Sequence, residues 1–582
     1  MLNMLDSIHA KFAGHTDLFA RLVDEEKPII TFLFLDLKEF NLSDDLYIKM
    51  NARGKPLTDF ENFKAKFEQR IKSFQSDVSV YTLSFWGKID QPVDAYQYFV
   101  HKVDTDWADM FWGYHDEALS ENSFDDKLMN FIRLIIANYC LVEKQNSETQ
   151  TKRLGGLLGS GGKLRALSFF KYEDLNCFSA DLVGYLIKMM DLLYNKDLAG
   201  ERIKIYLGDS DYYDEEDIFK KVIADNTNYS EKLRFFAFYS YLSSGKDLAG
   251  LLDWSRVIYN LTENTIINNA DIYLRALISI HALSQHDESI LEVLKKNNDI
   301  AGFQPAQVLE ERVKAHLIVK SDEWKRLILA IEKHSFFKGQ IGFALNFSGI
   351  LDFYRKNKNC DWTLAEDAMF FSEFKNYTEK GRNLFNLIDE SSADYDYLWE
   401  RAVLSKGVYF TSGSDSRWKN LLSTRGTRNN VDRDHSWKRL LRISMTFDDQ
   451  WEKRQSYVKA VFDDPNFDVN DIVDSLQHIC DEALNDPELA VWKTHFIKYK
   501  ALFEYCQQGF IYEDGNNILL LGELYRNHYH SELNSRAFYL EYKQSDAQFL
   551  PFKSLEYYPV KNTSEYSCAC LESWAYKEKQ YL

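Results

Sequence analysis

Ser230-Glu-Lys-Leu-Arg-Phe-Phe-Ala-Phe-Tyr-Ser-Tyr-Leu242 is the stretch on which the fold class turns. Leu233, Phe235, Phe236, Ala237, Phe238, Tyr239, Tyr241 and Leu242 leave almost no polar face, so a helix here, with Ser230 placed to cap it, belongs inside a core. The same pattern recurs on both sides. Residues 270–283 are apolar around most of a helical circumference. Residues 471–484 set Ile472, Leu476, Ile479 and Cys480 at helical spacing, with Asn470 as the cap and Pro465 upstream. Only 8 prolines and 25 glycines occur in 582 residues. Proline usually makes up about 5% of a chain, so this scarcity of breakers favours long helices over many short strands. No repeat with a period of about 20–50 residues recurs, which argues against a solenoid.

The length exceeds one ordinary domain of about 100–200 residues, and two to four packed units are expected. The chain is 45% hydrophobic with 12 Trp, 35 Tyr and 41 Phe, so wholesale disorder is excluded. Lys and Arg number 70 against 89 Asp and Glu, a formal charge of −19, which excludes a uniformly basic surface and leaves any polyanion to a local patch. Seven cysteines, an odd number mostly set in apolar segments, read as reduced buried thiols. No stretch approaches the roughly 18 apolar residues of a membrane span, and the start lacks the features of a leader. A cytoplasmic protein without membrane contact is the expectation.

Polar breaks at residues 146–163, 209–217 and 411–433 read as loops or linkers. After about Gln544, residues 552–560 and 566–576 alternate as short strands do.

The segment at 44–65 carries the most specific motif. Thr58 and Glu61 have capping-box spacing, Phe60, Phe63 and Phe67 follow on one face, and a helix is predicted to begin near Asp59. Just before it, Asn51, Arg53, Gly54 and Lys55 form a polar loop aimed at a helix N-terminus, a candidate phosphate site that Glu61 and Lys64 would flank. A solvated turn is the other reading, because Asp59 and Glu61 already occupy the dipole.

Here the chain resembles the GmrSD-type restriction family, in the region following its ParB/sulfiredoxin-like catalytic core. That family carries an Asn-x-x-Gly-x-x-Leu loop followed by a helix with Glu and Lys-Ala, matched by Asn51, Gly54, Leu57, Glu61, Lys64 and Ala65. Residues 107–112, 233–238, 254–264 and 518–542 resemble its large helical members more loosely. The resemblance implies an NTP-dependent endonuclease using NTP and Mg²⁺. The Asp-Gly-Gln-Gln-Arg signature to which that activity is attributed does not occur in this sequence, nor does a His-Asn-His nuclease motif. The expected fold is therefore mainly α, a multi-helical bundle array with a remnant of a ParB-like domain at the N-terminus and a small β-containing C-terminal tail. The expected divisions are 1–116 (the end of the family's N-terminal domain), 117–410 (helical), 411–445 (basic linker), 446–545 (helical) and 546–582 (β-type tail). The expected function is binding of nucleic acid or nucleotide, with DNA or RNA and a separately encoded ParB-like catalytic portion as partners.

The second candidate lies at 417–442. Arg417, Lys419, Arg425, Arg428, Arg433, Lys438, Arg439 and Arg442 face only Asp432 and Asp434, with Trp418 and Trp437 interleaved as base-stacking candidates. The alternative is an interhelical loop with both tryptophans buried.

Other motifs are weaker. Residues 155–163 lack the spacing and the Ser/Thr of a P-loop and read as a flexible connection, and 209–217 lacks the central Gly of a calcium loop. His528, His530 and Glu532, with Glu541 and Lys543, outline a metal-dependent nuclease, although 532–543 reads better as a helix than as converging strands. Cys568 and Cys570 lack the second pair that a closed zinc site requires, so no metal site is assigned. A helical scaffold that binds only other proteins is the remaining possibility.

Overall fold

The structure is a computed structural model. It describes residues 2–12, 14, 21–22, 24, 58–74, 81–84, 90–114, 123–143, 147–194, 207, 212–296, 299–390, 397–412, 418–420, 437–445, 449–498, 510–514, 517–521, 538–543, 548–551, 557–559 and 566–568. These residues are mostly helical. The chain divides into two compact units, Met1–Asn62 and Phe63–Leu582.

In the first unit, helix Leu2–Phe12 lies near the start, and Thr58 forms the expected box: its N–H donates to Glu61 Oε2 (2.7 Å) and its Oγ1 accepts from Glu61 N–H (3.1 Å). Helix Asp59–Ser73 begins where predicted, with Phe60, Phe63 and Phe67 all buried.

In the second unit, helix Tyr229–Ser243 packs against Ala180–Tyr194, Glu215–Ile223, Leu251–Glu263 and Ala270–Ser284. Its apolar circumference is buried on all sides, each Phe contributing about 1.5–3 kcal/mol. The cap differs from the expectation. Asn228, not Ser230, closes a reciprocal box with Glu231 (both bonds 2.9 Å), while Ser230 lies inside the helix and its hydroxyl donates to Thr262 O. Helix Ile472–Leu484 has Asp471 at its cap position, without a side-chain cap bond, and Asn470 N–H donates to Asp468 instead of capping.

Residues 155–163 are not a flexible connection, and 147–157 are helical instead of a loop. Helix Ser147–Leu157 leads into a turn closed by a Leu158–Leu164 bridge, and Gly162 (φ +80°) seats so closely on Tyr229 that a Cβ would lie 2.6 Å from its ring. Within 209–217, Tyr212 and Tyr213 are buried and Asp214 caps helix Glu215–Ile223.

Helix Leu398–Lys406 packs against Asp449–Phe462, Ile472–Leu484 and Val491–Lys498. A six-stranded antiparallel sheet orders Thr411–Ser412, Trp418–Asn420, Phe510–Asp514, Asn517–Leu521, Phe538–Lys543 and Gln548–Pro551. The helix expected over 532–543 is thus corrected: 538–543 is a strand, paired on both edges, and its aromatic composition suits that setting. Tyr557–Pro559 pairs with Tyr566–Cys568. Among the described residues, no helix is long and apolar enough to cross a membrane.

Candidate functional site

Helices Leu251–Glu263 and Pro305–Lys320 place polar residues one turn apart along their facing sides: Arg256 and Asn260 on the first, Gln307, Glu311 and Lys314 on the second. With Glu310 and Glu332 they form a network in which every one of these side chains is buried. Arg256 Nη1 donates to Glu311 Oε2 (3.0 Å) and Glu332 Oε1 (3.0 Å). Lys314 Nζ reaches Glu310 (2.6 Å), Glu311 (2.9 Å) and Glu332 (2.7 Å). Burial alone would weaken both cations' hold on their protons, but Glu332 and Glu311 beside Arg256, and Glu310, Glu311 and Glu332 beside Lys314, reverse this and raise both pKa values. Glu311 is opposed by burial, yet Lys314 and Arg256 hold it below the usual carboxylate range. For Glu310 burial prevails over Lys314, and its pKa is raised.

The network fixes the chain at 338–341. Lys314 and Gln307 both donate to Gly339 O, at 2.6 and 3.2 Å, and Ile341 N–H donates to Glu310 Oε1 at 2.7 Å. Gly339 has φ +86°, and a Cβ there would fall 2.0 Å from Asn260 Oδ1, so both the conformation and the space demand glycine. Gln340, held in this way, donates to Lys438 O (2.5 Å) and accepts from Arg442 Nε (3.3 Å).

Arg442 in turn lines a cleft of about 390 Å³ together with Arg275, Thr265, Asn264 and Gln304. Gln304 precedes helix Pro305–Lys320, whose N-terminus carries no side-chain cap. Two guanidiniums beside that positive helix end suit an anion such as a phosphate ester.

Of the other candidates that the sequence points to, Arg417, Arg425, Arg428, Arg433, Asn51, Arg53, Gly54, Lys55, His528, His530, Glu532 and Cys570 lie outside the described residues. Glu61 is engaged in the box with Thr58, and Lys64 pairs with Asp104 and Glu68. Trp418 and Lys419 lie in a strand. Arg439 lies in the short helix Trp437–Leu441. Trp437 is not available to stack on bases: it is fully buried, its indole N–H donates to Glu400, and its ring lies 5.3 Å from Trp399 and 4.8 Å from Tyr409. Lys438 sits with its ammonium 5.8 Å from the Phe336 ring centre. Glu541 and Lys543 are alternate residues of one strand. Among the described residues, no group of three or more His, Cys, Asp or Glu is arranged to hold a metal, and Cys140, Cys177, Cys360 and Cys480 are buried free thiols.

Sequence reasoning misses Arg275, Gln340 and the buried network. A signal is present at 307, 310, 311 and 314, where charged and amide residues recur at helical spacing on a helix whose interior face they are not expected to occupy.

No family model, curated protein or solved structure matches the chain.

Proposed function

We propose that this chain is the helical, polyanion-binding portion of a defence protein of the kind that GmrSD-type restriction proteins represent, acting with a ParB-like catalytic portion on a separate chain. In this reading residues 1–116 include the remnant of a ParB-like domain, and NTP and Mg²⁺ chemistry belongs to the partner. The observation that carries the nucleic-acid half is the cleft that Arg442, the last cation of the 417–442 stretch, lines together with Arg275 of helix Ala270–Ser284. Gln340 holds Arg442 there.

Fluorescence anisotropy with labelled duplex and single-stranded DNA and RNA, titrated across salt, tests the reading. Binding that falls with salt, and a shallower salt slope for the Arg275→Ala/Arg442→Ala pair, is expected, because each lost phosphate contact removes about 0.7–0.9 from the slope. Absence of binding at low salt, or binding unchanged both in that pair and when Arg425, Arg428 and Arg433 become Ala, overturns it.

The strand at Phe538–Lys543 favours a second reading, a metal-dependent nuclease using Glu532, Glu541 and Lys543, since alternate residues of one strand share a face as such sites require. Plasmid incubated with Mg²⁺ or Mn²⁺ decides it: cleavage lost in Glu541→Ala supports this assignment, and cleavage that survives Glu541→Ala removes it.

A further inference from the structure

Cys140 lies in the last turn of helix Ser123–Val142, and Cys177 lies 37 positions on, in the turn between helices Phe169–Asp174 and Ala180–Tyr194. The fold brings them together in its interior. Both are buried, at 0 and 2% exposure, and Cys140 Sγ lies 3.6 Å from Cys177 O. The contact extends to the sulfurs: the Cys140 S–H donates towards Cys177, which lowers the pKa of the Cys177 thiol and raises that of Cys140. Cys360 and Cys480 behave differently, since burial pushes each of them up to about 12.

A buried arginine holds the pair in place. Arg153, itself 2% exposed, donates from Nε to Leu175 O (3.0 Å), from Nη1 to Cys140 O (3.0 Å) and Glu143 Oε2 (2.6 Å), and from Nη2 to Asn176 O (2.5 Å). One guanidinium thus bonds the backbone of the first cysteine and that of the two residues preceding the second. Its charge favours a thiolate at either sulfur, while Glu143 opposes it. Tyr172 also faces the pair; burial raises its pKa, so its phenol stays protonated, and Arg133 acts on it in the opposite direction. The Glu143 side chain is 40% exposed, so solvent reaches this clasp one hydrogen bond from the guanidinium.

We propose that Cys140 and Cys177 form an intramolecular redox pair that hydroperoxides convert to a disulfide, reaching it by local opening of the Arg153–Glu143 clasp. Cys177, as thiolate, attacks one peroxide oxygen; the O–O bond breaks and the other oxygen leaves as hydroxide, giving a sulfenic acid. The Cys140 sulfur then attacks the Cys177 sulfur, the S–S bond forms, and the sulfenic oxygen departs as water with the Cys140 proton. In sum the two thiols give up two electrons and two protons, and hydrogen peroxide is reduced to two waters. The new bond fastens the end of helix Ser123–Val142 to the turn before helix Ala180–Tyr194.

The test is to treat the folded full-length chain with hydrogen peroxide, then denature, alkylate and map it by peptide mass spectrometry. Expected is a Cys140–Cys177 linkage, reversed by dithiothreitol, that forms at least about tenfold faster than any oxidation of Cys360 or Cys480. In Cys140→Ser the Cys177 sulfenic acid has no thiol to resolve it and is expected to be trapped by dimedone, whereas in Cys177→Ser the remaining Cys140 is expected to resist peroxide. Circular dichroism checks that both variants are folded, and the linkage in the unaltered chain decides the matter without them. The proposal is overturned if both thiols stay reduced, if they oxidise without linking to each other, or if Cys360 and Cys480 oxidise as fast, which would mark general unfolding as the route.

Discussion

Arg256 and Glu332, separated by 76 positions in the chain, are joined through one guanidinium nitrogen to both carboxylate oxygens at 3.0 and 3.2 Å, with neither side chain exposed to solvent. Such a contact ties helix Leu251–Glu263 to the end of helix Asp322–Glu332. Removing either partner unbalances the buried network, even though Lys314 still reaches Glu332 and Glu311 still accepts from Arg256. Arg256→Ala or Glu332→Ala is therefore expected to cost about 3–5 kcal/mol, against a smaller loss when both are replaced together by apolar residues of similar volume. Urea unfolding midpoints of the two single variants and the double variant check this.

Gly339→Ala is expected to destabilise by at least ~2 kcal/mol, because it sets an L-residue at positive φ and drives its Cβ into Asn260. Asn260→Ala removes the atoms nearest that Cβ and is expected to restore part of the loss in the double variant. Strict additivity in a thermal-melt double-mutant cycle would refute the collision.

Lys232 is buried, donates to Thr227 O and Oγ1, and burial lowers its pKa to about 8. The folded protein then binds fewer protons than the unfolded chain between pH 8 and an unfolded value near 10.5, so this residue's contribution to stability rises with pH across that window. Wild type is expected to gain on the order of 2 kcal/mol relative to Lys232→Met between pH 7 and pH 10. A flat difference in denaturation midpoints across that range excludes it.

Trp437→Ala is expected to cost about 3–5 kcal/mol by opening the cluster of Trp399, Tyr409 and Phe462. Trp437→Phe, which keeps most of the packing, is expected to leave nucleic-acid affinity per folded molecule unchanged. A large loss of affinity in that variant, measured by anisotropy under conditions where it is fully folded, would return the residue to the binding surface.

Thr58→Ala removes one half of the box with Glu61 and is expected to cost about 1 kcal/mol of local helix stability, readable as faster amide exchange over the first turn of Asp59–Ser73.

The helical character is legible in the sequence because periodicity and caps are local. Thr58, Glu61, Phe63 and Phe67 behave as their spacing predicts, and residues 270–283 differ from the observed helix by one position. Cap positions are less legible: Asn228 and Ser230 both suit a cap, and what decides is which one has Glu three residues on. The strand at Phe538–Lys543 escapes a local reading because its identity comes from ladders on both sides, with partners that sequence spacing does not mark. Arg442 stands out in the sequence for its charge, but Arg275, 167 positions earlier, and Gln340 join it only through tertiary packing. Trp437 looks like a surface group among cations, while its nearest aromatic partners come from Trp399 and Tyr409 on the other side of the basic stretch.

The sheet has a consequence for the order of assembly during synthesis. Strand Trp418–Asn420 pairs with Phe510–Asp514, and the intervening chain includes helices Asp449–Phe462, Ile472–Leu484 and Val491–Lys498. A ribosome making about 5–20 residues per second emits those helices seconds before the second strand, so they have time to pack while the first strand still lacks its mate. Slow codons or a pause placed between 420 and 510 would prolong that unpaired edge, and chaperone capture of nascent chains is expected to peak there.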